Sequence, residues 1–183
     1  MKNQFGPMLT LVTVLCLPLL ASGEDSPAQS APVLSGNEIA KALKPGGTAV
    51  SRTRGLSRRP DSPPAPQSIN LNIPFKYNSS TLQPQASVQL KQLELALTSE
   101  SLRNDHFVVA GHTDAKGNAR YNKQLSLRRA ESVRHFLIAN GVDAARLDAV
   151  GYGSEHPLTP DHPEDAANRR VEIRDLGPVP AAP

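Results

Sequence analysis

The stretch from Gly111 to Ala130, GHTDAKGNARYNKQLSLRRA, joins a strand to a helix and carries most of the chemistry in the chain. Before it, HFVVAGHTD (His106 to Asp114) reads as a strand running out into a loop at Gly111. After it, the apolar spacing predicts a helix from about Ala119 to Asn140, stopped at Gly141, a residue type favoured at helix ends. At roughly 100° per residue, Leu125, Ala130, Val133, Phe136 and Leu137 share one apolar arc. Gln124, Arg128, Glu131 and His135 fall opposite. Asn122, Ser126 and Arg129 lie inside the apolar arc, on one line running from the N-terminal end of the helix.

An unpartnered guanidinium on the core-facing side costs several kcal/mol, so Arg129 must reach the rim or meet an anion there. Asp114, in the preceding loop, is the nearest acid in the motif. Two readings follow. Asp114 and Arg129 form a salt bridge that pins helix to loop, leaving the domain to serve protein–protein interaction. Alternatively they form a receptor for a zwitterion, Asp114 holding an ammonium and Arg129 a carboxylate, two bonds at a time. Thr113 and Asn122 would complete the hydrogen bonding, with Ser126 acting less directly.

Outward from this unit, Ile69, Leu71, Ile73 and Phe75 alternate with other residues and predict a strand from Ser68, placed at an edge or end by Pro74. YNSS (Tyr77 to Ser80) reads as a turn. Pro84 to about Ser99 reads as a helix whose apolar stripe is Val88, Leu90, Leu93, Leu95 and Leu97. RLDAVGY (Arg146 to Tyr152) predicts a third strand, GSEHPLTPDHPEDAAN a proline-broken loop ending in a helical turn, and RRVEIRD a last strand. The order βαβαββ implies an α/β (α+β) two-layer sandwich with one mixed sheet.

The N-terminal residues place Lys2 before an apolar run from Met8 to Leu20, followed by Ala21-Ser22-Gly23, so residues 1–23 read as a cleaved secretory signal. A membrane span needs about 20 apolar residues, and this run is shorter and broken by Pro18. Cleavage there implies a periplasmic or other cell-envelope location and removes Cys16, the single cysteine of the 183 residues. Lipidation at Cys16, tethering the protein to the outer membrane, is the alternative. Residues 24–67, with seven prolines between Glu24 and Pro66, read as a flexible leader. Within it NEIAKALK (Asn37 to Lys44) has the pattern of two helical turns behind a Ser35 cap, marginal without packing. Its six basic residues between Lys41 and Arg59 read first as a solvated basic linker, and alternatively suit an anionic surface or an outer-membrane or other envelope protein as partner. Residues 177–183 read as a disordered tail.

GHTDAKG, YNKQLSLRRA, GYGSEHP (Gly151 to Pro157) and NRRVEI (Asn168 to Ile173), in this order and spacing, resemble the successive motifs of the OmpA-like C-terminal domain family, which includes Pal and MotB. The resemblance covers residues 68–176. It implies a domain that binds peptidoglycan without cleaving it, through the diaminopimelate of the stem peptide, with no cofactor and no metal. On the matching positions it assigns Asp114 and Arg129 to the amino-acid end of diaminopimelate, with Asn122 and Thr113 lining the site. Asn78 and Ser79 approach the ligand, and Arg169 and Arg170 supply structural support. Where the family often has a Gly-Arg pair before NRR, this chain has His162-Pro163-Glu164-Asp165.

Rival chemistries fit the sequence less well. His112, Asp114, His156 and His162 have no spacing characteristic of a zinc site. No nucleophile elbow, HExxH or catalytic cysteine supports a cell-wall hydrolase. A sequence pI of about 9.2 invites a nucleic-acid reading, but aromatic residues are only 4% of the chain and a secretory signal precedes them.

Overall fold

The computed structural model describes residues 33–44 and 67–178. The signal, the anchor at Cys16, the basic stretch beyond Lys44 and the end of the tail lie outside the described residues. In chain order the elements are α1 (Gly36–Leu43), β1 (Ser68–Leu71), α2 (Ala86–Thr98), β2 (Asp105–His112), α3 (Ala119–Ala139), β3 (Leu147–Gly153) and β4 (Val171–Pro178). Four strands form one mixed sheet in the order β1-β4-β2-β3, with β2 parallel to β3 and antiparallel to β4. From Ser68 onward the order is therefore the βαβαββ that the sequence predicts.

Alternation along the strands separates the two faces of the sheet. Phe107, Val109, Leu147, Val171 and Ile173 turn towards the helices and are buried with Leu90, Leu93, Leu97, Val133 and Leu137. The α2–β2 connection is closed by Arg146, whose Nε donates to the Asp105 carbonyl at 2.9 Å and whose Nη2 donates to the Leu97 carbonyl at 3.0 Å. α3 spans the predicted range, capped by the Asn118 side chain at Tyr121 N and ended by Gly141 at φ 100°. Gly141 is in the left-handed region that a residue with a Cβ enters at a cost.

Three expectations are corrected. In α2 the buried face is Ala86, Gln89, Leu90, Leu93, Ala96 and Leu97, whereas Val88 and Leu95 are each 55% exposed. The run of leucines at every second or third position cannot all share one face of a 3.6-residue helix, and the smaller alanines turn inward. β4 continues to Pro178, into the segment read as tail.

The third correction concerns the leader. Ser35 to Leu43 is a built part of the domain: α1 carries a full capping box between Ser35 and Glu38, and Ile39 and Leu43 are fully buried with α2. Gln89 Oε1 accepts from Leu34 N at 3.1 Å and Gln92 Oε1 from Gly36 N at 2.8 Å, so two α2 side chains hold the entry of α1. An eight-residue helix is unstable alone. Burying an Ile or Leu side chain contributes about 1.5–3 kcal/mol, which supplies what the short helix lacks. Ile39→Ala is expected to lower the unfolding free energy by about 2–5 kcal/mol. Urea denaturation measures this, and an unchanged midpoint would mean that α1 does not belong to the core.

On the opposite face the described residues carry a polar network. His112 Nε2 bonds Glu172 Oε2 at 3.1 Å, Arg174 Nη2 donates to Glu172 Oε1 at 3.3 Å, and the His112 and Tyr152 rings meet tilted by 36° with centroids 5.4 Å apart. The hydrogen bond from His112, reinforced by Arg174, holds the Glu172 pKa at about 2 against an ordinary 4.5, despite the opposing effect of burial. A carboxyl whose pKa is depressed on folding stabilises the native state above its unfolded pKa, and this contribution is lost as pH falls through the folded value. Stability is therefore expected to decline by on the order of 2–3 kcal/mol between pH 4.5 and 2 from this group alone. Glu172→Gln should flatten that part of the profile in denaturation midpoints taken across the same pH range.

Candidate functional site

The site lies where β2 ends and α3 begins, and close backbone packing positions it. A Cβ built on Gly111 would overlap the Ser126 carbonyl, and one on Gly151 would overlap the backbone of Leu127. The sheet therefore touches α3 backbone to backbone at these two strands. Ser126, fully buried, seals the contact: its Oγ donates to the Lys123 carbonyl at 2.8 Å and accepts from Gly153 N at 2.8 Å. Gly153 in turn accepts from Thr113 N at 2.8 Å, which fixes the backbone just before Asp114.

The helical projection holds in space, since Asn122 and Ser126 are buried and Arg129 half-buried. Their tasks differ. Asn122 Nδ2 donates to the carbonyls of Lys116 at 2.9 Å and Asp114 at 3.4 Å, folding the loop back on the helix. Ser126 does not line the cleft. Its place is structural, beneath Gly153. Thr113 does line the cleft, and its Oγ1 is buried without a partner among the described residues.

The salt bridge that the alternative reading places between Asp114 and Arg129 is not formed. Asp114 Oδ2 accepts from Arg169 Nη1 at 2.7 Å, with the Asp114 side chain 13% exposed. Arg129 Nε donates instead to the Ser79 carbonyl at 3.0 Å, and its guanidinium lies 5.0 Å over the Phe75 ring. Burial first, and Arg169 second, make Arg129 a weaker base, while Tyr121 and Asp114 oppose this. Arg129 thus feels Asp114 without being paired by it, and no carboxylate bonds Arg129 among the described residues. Arg169, read from the sequence as structural support, is the residue that takes Asp114 and stands in the cleft.

A cleft of about 730 Å³ brings Asp114, Arg129, Asn122, Thr113, Asn78 and Arg169 together. Asn78, at φ 50°, accepts from the Tyr121 hydroxyl at 2.7 Å. Ser79 contributes its carbonyl to Arg129, while its hydroxyl bonds Thr81 Oγ1 at 3.0 Å. Arg170 lies behind the cleft, Nε donating to Asn70 Oδ1 at 2.8 Å and Nη2 to the His156 carbonyl at 3.2 Å, so it ties β1 to the loop between β3 and β4.

That loop is organised by Asn168, fully buried, whose Oδ1 accepts from Leu158 N at 2.7 Å and whose Nδ2 donates to the carbonyls of His162 at 3.0 Å and Pro163 at 3.1 Å. Pro163 also accepts from Ala115 N at 2.9 Å, so the His162–Asp165 segment docks on the Asp114 loop through its backbone. Tyr121, Phe75 and Asn168 were missed in the sequence as site-building residues. Only Asn168, an asparagine at the end of a proline-broken loop, gives a signal there.

The geometry defines the class: a two-layer α/β domain with a charged cleft at one end of its parallel strand pair, holding one enclosed carboxylate among guanidinium groups. The chain belongs to the OmpA family, whose profile matches residues 74–170. A protein named Peptidoglycan-associated lipoprotein from Pseudomonas aeruginosa is 38% identical over 102 residues, 55% of this chain and 59% of that one. Outer membrane protein A from Klebsiella pneumoniae is 34% identical over 110 residues, 60% of this chain and 32% of that protein. The chain thus spans less than two thirds of the length of these relatives. Among solved structures, the cell wall anchor of the T6SS from Pseudomonas aeruginosa superposes with a TM-score of 0.50 at 25% identity, over 61% of this chain and 82% of that one.

Because Gly111 leaves no room for a side chain, Gly111→Ala must push α3 off β2. An unfolding free energy lower by at least about 2 kcal/mol is expected, read by chemical denaturation. A near-native midpoint would show that the helix can move away without loss.

Proposed function

We propose that the domain binds peptidoglycan without cleaving it, holding the amino-acid end of diaminopimelate between Asp114 and Arg129 in the cell envelope. The observation that carries the reading is the separation of these two groups within one cleft. Among the described residues Asp114 is paired only by the partly exposed Arg169, and Arg129 is braced by Ser79 and Phe75 with no carboxylate bonded to it. An ammonium entering beside Asp114 competes with Arg169, and a carboxylate meets the planar fork of Arg129. Thr113 Oγ1, buried and without a partner among the described residues, is available to the same ligand. The names of the relatives, a peptidoglycan-associated lipoprotein and a cell wall anchor, support the partner and the envelope setting. Anchoring or scaffolding follows from such binding, and the basic stretch between Lys41 and Arg59 is the segment we assign to other envelope partners.

Cosedimentation with sacculi tests this. Wild-type protein should pellet with diaminopimelate sacculi and much less with sacculi whose stem peptide carries lysine, which keeps the ammonium and lacks the carboxylate. Asp114→Ala and Arg129→Ala should each weaken binding at least about tenfold, with circular dichroism and melting behaviour unchanged. Normal binding by both variants would sink the assignment, and degraded sacculi would restore an enzymatic reading.

A further inference from the structure

One wall of the cleft is the loop 74–83, which is closed on itself. At its base Gln83 N donates to the Pro74 carbonyl at 3.0 Å, Gln83 Nε2 to the Phe75 carbonyl at 2.8 Å and Lys76 N to the Thr81 carbonyl at 2.9 Å. At its tip Ser79 N donates to the Lys76 carbonyl at 3.1 Å, which makes Tyr77 and Asn78 the central residues of a tight turn. Asn78 sits there at φ 50°, in the left-handed region that asparagine tolerates better than most residues.

This loop meets α3 at two consecutive residues. The Tyr121 hydroxyl donates to Asn78 Oδ1 at 2.7 Å, and Arg129 Nε donates to the Ser79 carbonyl at 3.0 Å. Tyr121 and Arg129 stand about two turns apart on the helix, so their side chains converge on one spot of the loop. The holds on Arg129, the Ser79 carbonyl and the Phe75 ring, both belong to the loop. The place of the loop against α3 is in turn fixed at Tyr121, whose ring lies under the Arg128 guanidinium at 6.0 Å. An arginine with no carboxylate partner has rotamer freedom to lose when a ligand fixes it, and holding it beforehand spares the ligand that loss.

Resting on the peptidoglycan reading above, we propose that Tyr121 is a positioning residue for Arg129. Its hydroxyl holds Asn78, and through Asn78 it keeps the Ser79 carbonyl and the Phe75 ring where they orient the guanidinium. With Nε spent on Ser79, the end of the fork formed by the two Nη nitrogens is the one presented to a ligand. Asn78 and Ser79 on this account serve the arginine and do not contact the ligand.

Tyr121→Phe in the full-length chain tests this, since it removes the hydroxyl and leaves the ring in place. Heteronuclear NMR of the free protein reads the Arg129 Nε–H resonance, assigned by its absence in Arg129→Lys. That proton should be protected from exchange in wild type, and Tyr121→Phe should remove the protection with circular dichroism and melting behaviour unchanged. Cosedimentation with diaminopimelate sacculi should weaken about three- to tenfold, the worth of one neutral hydrogen bond. Asn78→Gly accepts the left-handed backbone but removes the acceptor, so it should lose as much, and the double variant should lose no more than either single one. An unchanged Nε–H resonance in Tyr121→Phe would overturn the inference and leave the proposed function standing, as would lost protection with undiminished binding. Additive losses in the double variant would show that Tyr121 and Asn78 act separately, which also overturns it. Failure of wild type to bind sacculi would remove the peptidoglycan reading and the binding role of Tyr121 together.

Discussion

Everything at the site depends on how closely α3 lies on the ends of β2 and β3. Gly111 and Gly151 leave no side chain between sheet and helix, so the Ser126 carbonyl and the Leu127 backbone occupy that space. Ser126 converts this proximity into a fixed register by bonding Gly153, and Gly153 passes it to Thr113. The loop bearing Asp114 is thereby fixed relative to the helix bearing Arg129, although the two residues do not touch. A side chain at Gly111 would widen the cleft and loosen its charges at once.

The electrostatics follow from that geometry. Placing one carboxylate among several guanidinium groups leaves a choice of partner, and Asp114 takes Arg169 from the loop before β4 rather than Arg129 from its neighbouring helix. Arg129 is held by a backbone carbonyl and an aromatic face, contacts that orient a guanidinium while leaving its charge uncompensated. A buried ion pair would have satisfied both groups and left little for a ligand. The surplus of cations around Asp114 leaves the cleft with positive charge that no carboxylate of the described residues pairs at Arg129.

The domain also extends beyond its motifs. α1 is short and lies in a proline-rich context, yet its capping box and two fully buried side chains join it to α2. Gln89 and Gln92 satisfy the backbone at its start, so hydrogen bonds across tertiary space do what local sequence cannot. On the face of the sheet away from α2 and α3, the His112–Glu172–Arg174 network links β2 to β4.

The sequence by itself determined the order of elements, the length of α3 and the inward-facing line of Asn122, Ser126 and Arg129. Strand and helix periodicities are local properties, and the motif spacing carries the family with them. It also brought Asn122 and Arg129 to notice, because a polar side chain on an apolar helix face is visible in the sequence, and with them Asp114 and Thr113 of the adjoining loop, whereas Asn78 came with the family resemblance. Tertiary structure decided which charge meets which. Arg169 stands 55 residues from Asp114, and no periodicity reports a pairing across that separation. It likewise decided that Ser126 builds the site without lining it, that Val88 and Leu95 face outward, and that α1 belongs to the core. Each of these depends on distances between segments far apart in the chain, and those distances exist only once the sheet and helices have packed.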